Sequence, residues 1–318
     1  MENRNGQENE SESSFTVQKL TPIERLGISP VLFAFLSLIA VFVLYQIVGG
    51  IITLIAFGFQ PTAKNIFGYR IATGIGQLLF ILIPTLILAR LVSFRPGEYL
   101  RISLPDVRTV IVPLVGIFSL QQMLQVYLIF QEKIPLPEQL QSWMQKFKDI
   151  FDQLYKILVG SNSVPELFWV IVVIALIPAV SEEFLFRGLI QRSFEKTVTP
   201  LRSAIVTGII FGAYHMNPFS FVPLAVIGIY LGFLTMRTGS VWVSVVAHFF
   251  NNLLACVALY LKIDDDYVVL GKSGEMTAGV LLLTFWIFGI IFLLSMIYFL
   301  KITKPAVPSS APGDAHLT

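Results

Sequence analysis

The chain has 318 residues, of which 55% are hydrophobic and 13% are charged, and its formal net charge is +2. A soluble domain carries roughly twice that charged fraction, so the composition indicates an integral membrane protein. The sequence contains no basic cluster or nucleic-acid motif, which argues against nucleic acid as a partner. Its single cysteine, Cys256, excludes an internal disulfide bond.

Both ends of the chain are polar. Residues 1–29 lack the basic start and early apolar run of a signal peptide, and they are predicted to form a disordered tail. Residues 301–318 are predicted to form a second one. Between the tails we expect N-terminal membrane helices over 30–164, a core with the polar motifs over 165–262, and a loop with a last span over 263–300.

Apolar runs divide the middle of the chain into about eight transmembrane helices. Most of the runs reach the roughly 20 residues that cross about 30 Å of hydrocarbon. Only Met216–Phe219 separates the fifth run from the sixth, which fits either a tight hairpin or a partly re-entrant segment. The predicted fold class is therefore an all-α membrane bundle, with helix cores at 30–57, 70–91, 109–130, 165–190, 201–217, 219–236, 240–261 and 277–300.

The segment 137–158 differs from the spans. Apolar residues repeat there at helical spacing, and charged residues fall largely on other faces, which predicts an amphipathic helix. Such a helix either packs on the bundle or lies in the membrane interface, and the sequence favours neither.

The distribution of Lys and Arg predicts the orientation of the chain. Eight spans put both termini on one side of the membrane, and most of the basic residues fall on that side. The excess of Lys and Arg on cytoplasmic loops then predicts cytoplasmic termini. The expected location is the cell membrane, with a multi-pass topology and with lipids as partners.

Three polar groups interrupt the apolar sequence between residues 181 and 252, and the first is EEFLFR. In a helix, Glu183 and Arg187 are four residues apart and can pair. Glu182 is turned by about 100° from Glu183, so it need not share that pair. One carboxylate is then neutralised, and its neighbour stays available as a general base.

The second group, FGAYH, ends at His215, and the third, HFFNN, contains His248 and Asn252. Glu182 precedes the turn between the fourth and fifth spans by about as many residues as His215 follows it, so both are expected at one depth. Phe211 lies one turn before His215 on the same face. Lipid cannot satisfy His248 and Asn252, so these should face the interior. Glu182 is expected to face both histidines.

In this order on successive membrane segments, the motifs EExxxR, FxxxH and HxxxN resemble those of the CPBP family. This family comprises CAAX proteases and bacteriocin-processing enzymes and is also called the Abi family. The resemblance covers the core over 165–262 and implies an intramembrane endopeptidase of the glutamate type. The family's name-giving substrate is a prenylated C-terminal CAAX peptide, so the implied partner is a peptide or protein, with or without a lipid modification.

The resemblance also implies a role for each motif residue. Glu182 would activate a water molecule with the help of His215, and His248 and Asn252 would stabilise the oxyanion of the tetrahedral intermediate. The site-supporting residues would be Glu183, Arg187 and Phe211.

Three alternatives remain open at this point. No cofactor is expected, but zinc is an alternative, because one Glu and two His can bind it, with Glu182, His215 and His248 as ligands. A non-enzymatic bacteriocin-immunity or peptide-binding protein is also compatible with the motifs. A proton-coupled transporter is less favoured, because the sequence shows no inverted repeat.

Overall fold

The fold is taken from a computed structural model, which describes residues 20–135, 137–263, 267–268, 271–272 and 276–303. Most of the predicted N-terminal tail and the predicted C-terminal tail beyond residue 303 lie outside these ranges.

The described chain is almost entirely helical, and π-helical turns are counted here as part of the helix that contains them. A short antiparallel pair, β1 (Tyr267–Val268) and β2 (Gly271–Lys272), lies in the predicted loop before the last span. The helices are α1 (Pro22–Arg25), α2 (Pro30–Phe57), α3 (Ile66–Val92), α4 (Pro96–Tyr99), α5 (Val107–Glu132), α6 (Glu138–Val159), α7 (Val164–Phe194), α8 (Pro200–Tyr214), α9 (Phe221–Thr238), α10 (Val241–Tyr260) and α11 (Ala278–Ile302).

The eight predicted spans correspond to α2, α3, α5, α7, α8, α9, α10 and α11. Among the described residues, seven helices are long and apolar enough to cross a membrane, and α8, with 15 residues, is shorter. A helix of that length covers about 22 Å, less than the hydrocarbon thickness of about 30 Å. The all-α membrane fold is therefore confirmed, with α8 as a short arm that ends next to His215.

Polar caps set most of the helix starts. A Ser, Thr or Asp side chain accepts a backbone N–H at the start of α2, α5, α7, α8, α10 and α11. These caps satisfy donors that the first helical turn leaves unpaired. The capping residues are Ser29, Asp106, Ser163, Thr199, Ser240 and Thr277.

The chain before α2 is more ordered than the sequence suggested. Residues up to 29 were expected to be a disordered tail, yet α1 lies within that range. Thr21 and Glu24 form a reciprocal capping box, and Ile23 is buried in the core of the bundle. Capping and burial of one apolar side chain stabilise this turn.

Two widened turns flank the carboxylates of α7. A π-helical turn over Ile171–Leu176 comes just before Pro178, and a second over Phe184–Ile190 follows Glu183 directly. A proline removes one helical hydrogen bond and crowds the preceding turn, and a π turn is one way to accommodate this. The helix is therefore irregular on both sides of the two glutamates.

Helices α8 and α9 touch through their backbones. A Cβ atom on Gly208 would lie 2.4 Å from the Ile229 nitrogen, and one on Gly212 would lie 2.8 Å from the Ala225 nitrogen. Only glycine permits such an approach, as in other membrane helices with small residues four apart. This contact fixes the helix that ends at His215 against α9.

The predicted amphipathic helix is present as α6. Leu140, Trp143, Phe147 and Ile150 are all exposed, so the bundle does not cover this part of its apolar face. The C-terminal end of α6 is anchored in the bundle, where Val159 is buried, and the middle of the helix touches it through Lys148, which pairs with Glu132 of α5, and Phe151, which packs on Phe219.

Buried Arg70 of α3 holds that end of α6. Its guanidinium donates to the main-chain oxygens of Ile157, Leu158 and Gly160 and pairs with Glu166 at 2.7 Å. The carbonyls at a helix C-terminus have no partners within the helix, and a cation is favoured there. Arg70 therefore anchors α6 to α3 and α7.

Candidate active site

A fully buried ion pair lies in the middle of α7. Arg187 Nη1 donates to Glu183 Oε1 at 2.7 Å, and neither side chain is exposed to solvent. The predicted i,i+4 pairing is therefore observed. The same oxygen also lies 2.8 Å from Nδ1 of His248 on α10. Because it already accepts from a guanidinium, the histidine nitrogen is assigned as a second donor.

Arg187 connects α7 to two further elements. Its Nη2 donates to the Gly228 carbonyl of α9 at 2.9 Å, and its guanidinium lies 4.6 Å from the ring centre of Phe211 on α8. A cation over an aromatic face is attracted by the ring quadrupole. One side chain thus holds α7, α8 and α9 in register.

Glu182 has a different environment from its neighbour. Its Oε1 accepts a hydrogen bond of 3.1 Å from Nε2 of Gln77 on α3. Its Oε2 lies 3.9 Å from Nε2 of His215 and has no hydrogen-bond partner among the described residues. The expected match in depth between Glu182 and His215 is therefore observed.

His215 is oriented by the chain that carries it. Its Nδ1 lies 2.8 Å from the Phe211 carbonyl oxygen, and the ring of Phe211 packs edge-on against the imidazole at 4.7 Å between centres. A carbonyl oxygen only accepts, so Nδ1 carries a proton. The lone pair of a neutral ring then sits on Nε2, the nitrogen nearest to Glu182.

The motif residues meet in one cavity of about 270 Å³, bounded by α3, α6, α7, α8, α9 and α10. Its wall includes Glu182, His215, His248, Asn252 and Phe211. At about 30 Å³ for each molecule in the liquid, this space is large enough for several waters. Each of the three separate sequence motifs therefore contributes polar side chains to one cavity between the helices.

The expectation that Glu182 faces both histidines is correct for only one of them. Glu182 approaches His215, whereas Glu183 takes the hydrogen bond from His248. Glu183 does more than pair with Arg187, because its Oε1 accepts hydrogen bonds from both Arg187 and His248. Each glutamate thus lies beside one histidine.

The donor set does not assemble as a metal site. Among the described residues, no three His, Cys, Asp or Glu side chains gather at metal-binding distance. Glu183 engages Nδ1 of His248, so that nitrogen is not free to bind a metal ion. The zinc alternative finds no prearranged ligand cluster in this arrangement.

Sequence reasoning missed several residues of the cavity wall. Gln77 and Thr73 come from α3 and Tyr155 from α6, and no motif marks them. Asn251 also lines the cavity, and its Nδ2 donates to Oδ1 of Asn252 at 3.3 Å. That bond leaves the amide hydrogens of Asn252 for other acceptors.

The polar segment that supplies the motifs was compared with known families. Residues 164–254 match the family described as type II CAAX prenyl endopeptidase, Rce1-like. The predicted resemblance to the CAAX proteases is confirmed over this Rce1-like segment, which contains Glu182, His215, His248 and Asn252. The matching family is an enzyme family. Comparison with curated proteins and with solved structures gives no significant match.

Proposed function

We propose that this multi-pass membrane protein is an intramembrane endopeptidase in which Glu182 activates water. One observation carries the proposal. A carboxylate oxygen of Glu182 that has no hydrogen-bond partner among the described residues lies 3.9 Å from Nε2 of His215, in a cavity that His248 and Asn252 also line. An ionisable side chain within a membrane span is by default a sign of function.

The separation between Glu182 and His215 suits a bridging water molecule. Such a water gives one proton to Glu182 Oε2 while its oxygen attacks the peptide carbonyl carbon, which forms a tetrahedral oxyanion. The proton then passes to the amide nitrogen as the carbon–nitrogen bond breaks, and Glu182 returns to its ionised form. General acid–base catalysis of this kind contributes about 10²–10⁴-fold.

The same cavity offers donors for the oxyanion. Asn251 engages the side-chain oxygen of Asn252, so the amide N–H groups of Asn252 remain for the substrate. His248 is oriented through Nδ1, which donates to Glu183, and its Nε2 can donate to the oxyanion only when the ring carries a proton on both nitrogens. A fixed donor to an oxyanion is worth about 3 kcal/mol. In this proposal Glu183, Arg187 and Phe211 fix the geometry and do not react.

The proposed substrate is a membrane-associated peptide or a CAAX-like C-terminus. The matching family is described as type II CAAX prenyl endopeptidase, which supports a peptide or protein partner. The exposed apolar side chains of α6 support its placement in the membrane interface beside the cavity, where Tyr155 forms part of the wall. A substrate held at the membrane surface would reach the site past this helix.

The test is a proteomic comparison of cells that carry the wild-type protein with cells that carry Glu182→Ala. The proposal expects one or more membrane-associated peptides to accumulate uncut in the variant. Purified protein in liposomes should then cleave those peptides, with and without a chelator. Peptides that bind equally to both proteins and are cut by neither would support the non-enzymatic alternative. If activity disappears with the chelator and returns with zinc, the reaction requires zinc and the metal-free mechanism is wrong.

A further inference from the structure

A side chain from outside the Rce1-like segment reaches Glu182. Gln77 lies in α3, is 5% exposed, and places its Nε2 3.1 Å from Glu182 Oε1. A carboxylate only accepts hydrogen bonds, so the amide nitrogen must be the atom that faces it. The N-terminal half of the chain, which carries no motif, thus contributes a direct contact to the proposed catalytic carboxylate.

Gln77 is itself held by a second residue. Its Nε2 lies 3.4 Å from the hydroxyl oxygen of Tyr45 on α2. One amide hydrogen can therefore point to the carboxylate and the other to the phenol. Tyr45 and Gln77 form an arm that extends from α2 through α3 to Glu182 on α7.

We infer that Gln77 is a positioning residue for Glu182, held in place by Tyr45, and this inference rests on the proposed function. The two carboxylate oxygens of Glu182 then have different roles. Oε1 is fixed by Gln77, and Oε2 is left toward His215. The terminal torsion of a glutamate is broad, so a carboxylate without this bond has no fixed orientation toward the water.

The bond has a second consequence for the chemistry. A general base must lie within hydrogen-bond reach of the proton that it abstracts. Loss of the Gln77 amide should therefore reduce the fraction of Glu182 that is oriented to react. A glutamine that merely joins α3 to α7 would affect stability and would leave this chemistry unchanged.

The experiment compares Gln77→Leu and Tyr45→Phe with a matched control, Gln46→Leu. Gln46 is exposed, neighbours Tyr45 in the sequence, and lines the groove between α2 and α3. With a peptide that the wild type cleaves, we expect Gln77→Leu to lower kcat by about ten- to a hundredfold, as the loss of a charge-assisted hydrogen bond predicts. KM should change little. Tyr45→Phe should lower kcat several-fold, and Gln46→Leu should leave it unchanged.

A second readout does not depend on proteolysis. A hydrophobic carbodiimide reacts with protonated carboxyl groups, and mass spectrometry locates the label, with Glu182→Gln as the blank. Glu182 should be labelled several-fold faster in Gln77→Leu than in the wild type or in Gln46→Leu, because its Oε1 then lacks the amide that holds it. If the wild type cleaves no peptide, the proposed function fails, and the labelling still tests the hydrogen bond.

Several outcomes would overturn the inference. One is unchanged labelling of Glu182 in Gln77→Leu. Another is an effect of Gln77→Leu no larger than that of Gln46→Leu. If Gln77→Leu does not fold, Tyr45→Phe is the variant that tests the inference. Unchanged kcat and unchanged labelling of Glu182 in Tyr45→Phe would then show that Tyr45 and Gln77 do not position Glu182.

Discussion

Glu183 Oε1 and His248 Nδ1 lie 2.8 Å apart in the buried centre of the bundle, and Arg187 donates to the same oxygen. Oε1 of Glu183 therefore accepts from two donors. One oxygen of each glutamate has no partner among the described residues, but Glu182 lines the cavity and approaches His215, whereas Glu183 is fully buried beside Arg187. The two adjacent glutamates are therefore distinct, with Glu183 orienting His248 and Glu182 proposed to react with water.

Glu183→Gln should destabilise the protein strongly. The substitution preserves shape but leaves the charge of Arg187 buried without a counterion, and breaking such pairs costs about 3–5 kcal/mol. Thermal or denaturant unfolding in detergent measures the change. Glu182→Gln is the matched control and should cost about 1 kcal/mol or less, because it removes only one charge from a single hydrogen bond. Equal stability of the two variants would contradict the division of roles.

Replacing both partners of the ion pair should separate stability from activity. Glu183→Leu with Arg187→Met leaves no isolated charge, and such replacements are often neutral or stabilising. The double variant should therefore unfold later than either single variant. Cleavage should stay low, because His248 has lost the acceptor at its Nδ1. If the double variant recovers both stability and cleavage, the Glu183–Arg187 ion pair contributes only to stability.

Gly208→Ala should disturb the helix that ends at His215. The added methyl group would meet the Ile229 nitrogen at 2.4 Å and the Gly228 carbonyl carbon at 2.8 Å, so α8 and α9 must move apart. Overpacking of this kind costs about 1–3 kcal/mol, and displaced catalytic groups lose rate steeply. Unfolding and cleavage assays should both show the defect.

Gly289→Ala on α11 is the control for that experiment. Its methyl group would approach only Met123, at 3.6 Å, so neither stability nor cleavage should fall. If Gly208→Ala behaves like Gly289→Ala, the close contact between α8 and α9 is not what places His215.

Arg70→Met should release the C-terminal end of α6. The substitution removes the donor to three main-chain oxygens and the partner of Glu166. Hydrogen exchange over residues 138–159 should speed up roughly tenfold or more, since a buried charged hydrogen-bond network is lost. Glu166→Gln should have a smaller effect, because Arg70 keeps its carbonyl acceptors. Unchanged exchange in Arg70→Met would mean that α6 is held by other contacts.

The sequence predicted those parts of the site that follow from helical geometry. The pairing of Glu183 with Arg187 follows from their spacing of four residues, and the meeting of Glu182 with His215 follows from equal distances to one turn. Both relations are local or depend on a single hairpin. The eight helices were found because the length of an apolar run is a local signal as well.

Contacts between distant helices could not be predicted from these patterns. His248 meets Glu183 because α10 packs on α7, and no spacing encodes that choice. Gln77 is not distinguishable in the sequence from Gln121 or Gln122, which also interrupt apolar runs. The packing partner of its helix decides which glutamine reaches the carboxylate. Arg70 likewise carries no motif, and only the fold brings the end of α6 to it.

The most direct measurement of the central claim is the hydrolysis rate of an identified peptide by wild type and Glu182→Gln in the same liposomes. Equal insertion and equal thermal midpoints would establish that both proteins are folded. The account predicts that Glu182→Gln loses roughly 10²–10⁴-fold in rate, as expected when a general base is removed. A Glu182→Gln rate within a few-fold of the wild type would contradict the assignment of Glu182 as the residue that activates water.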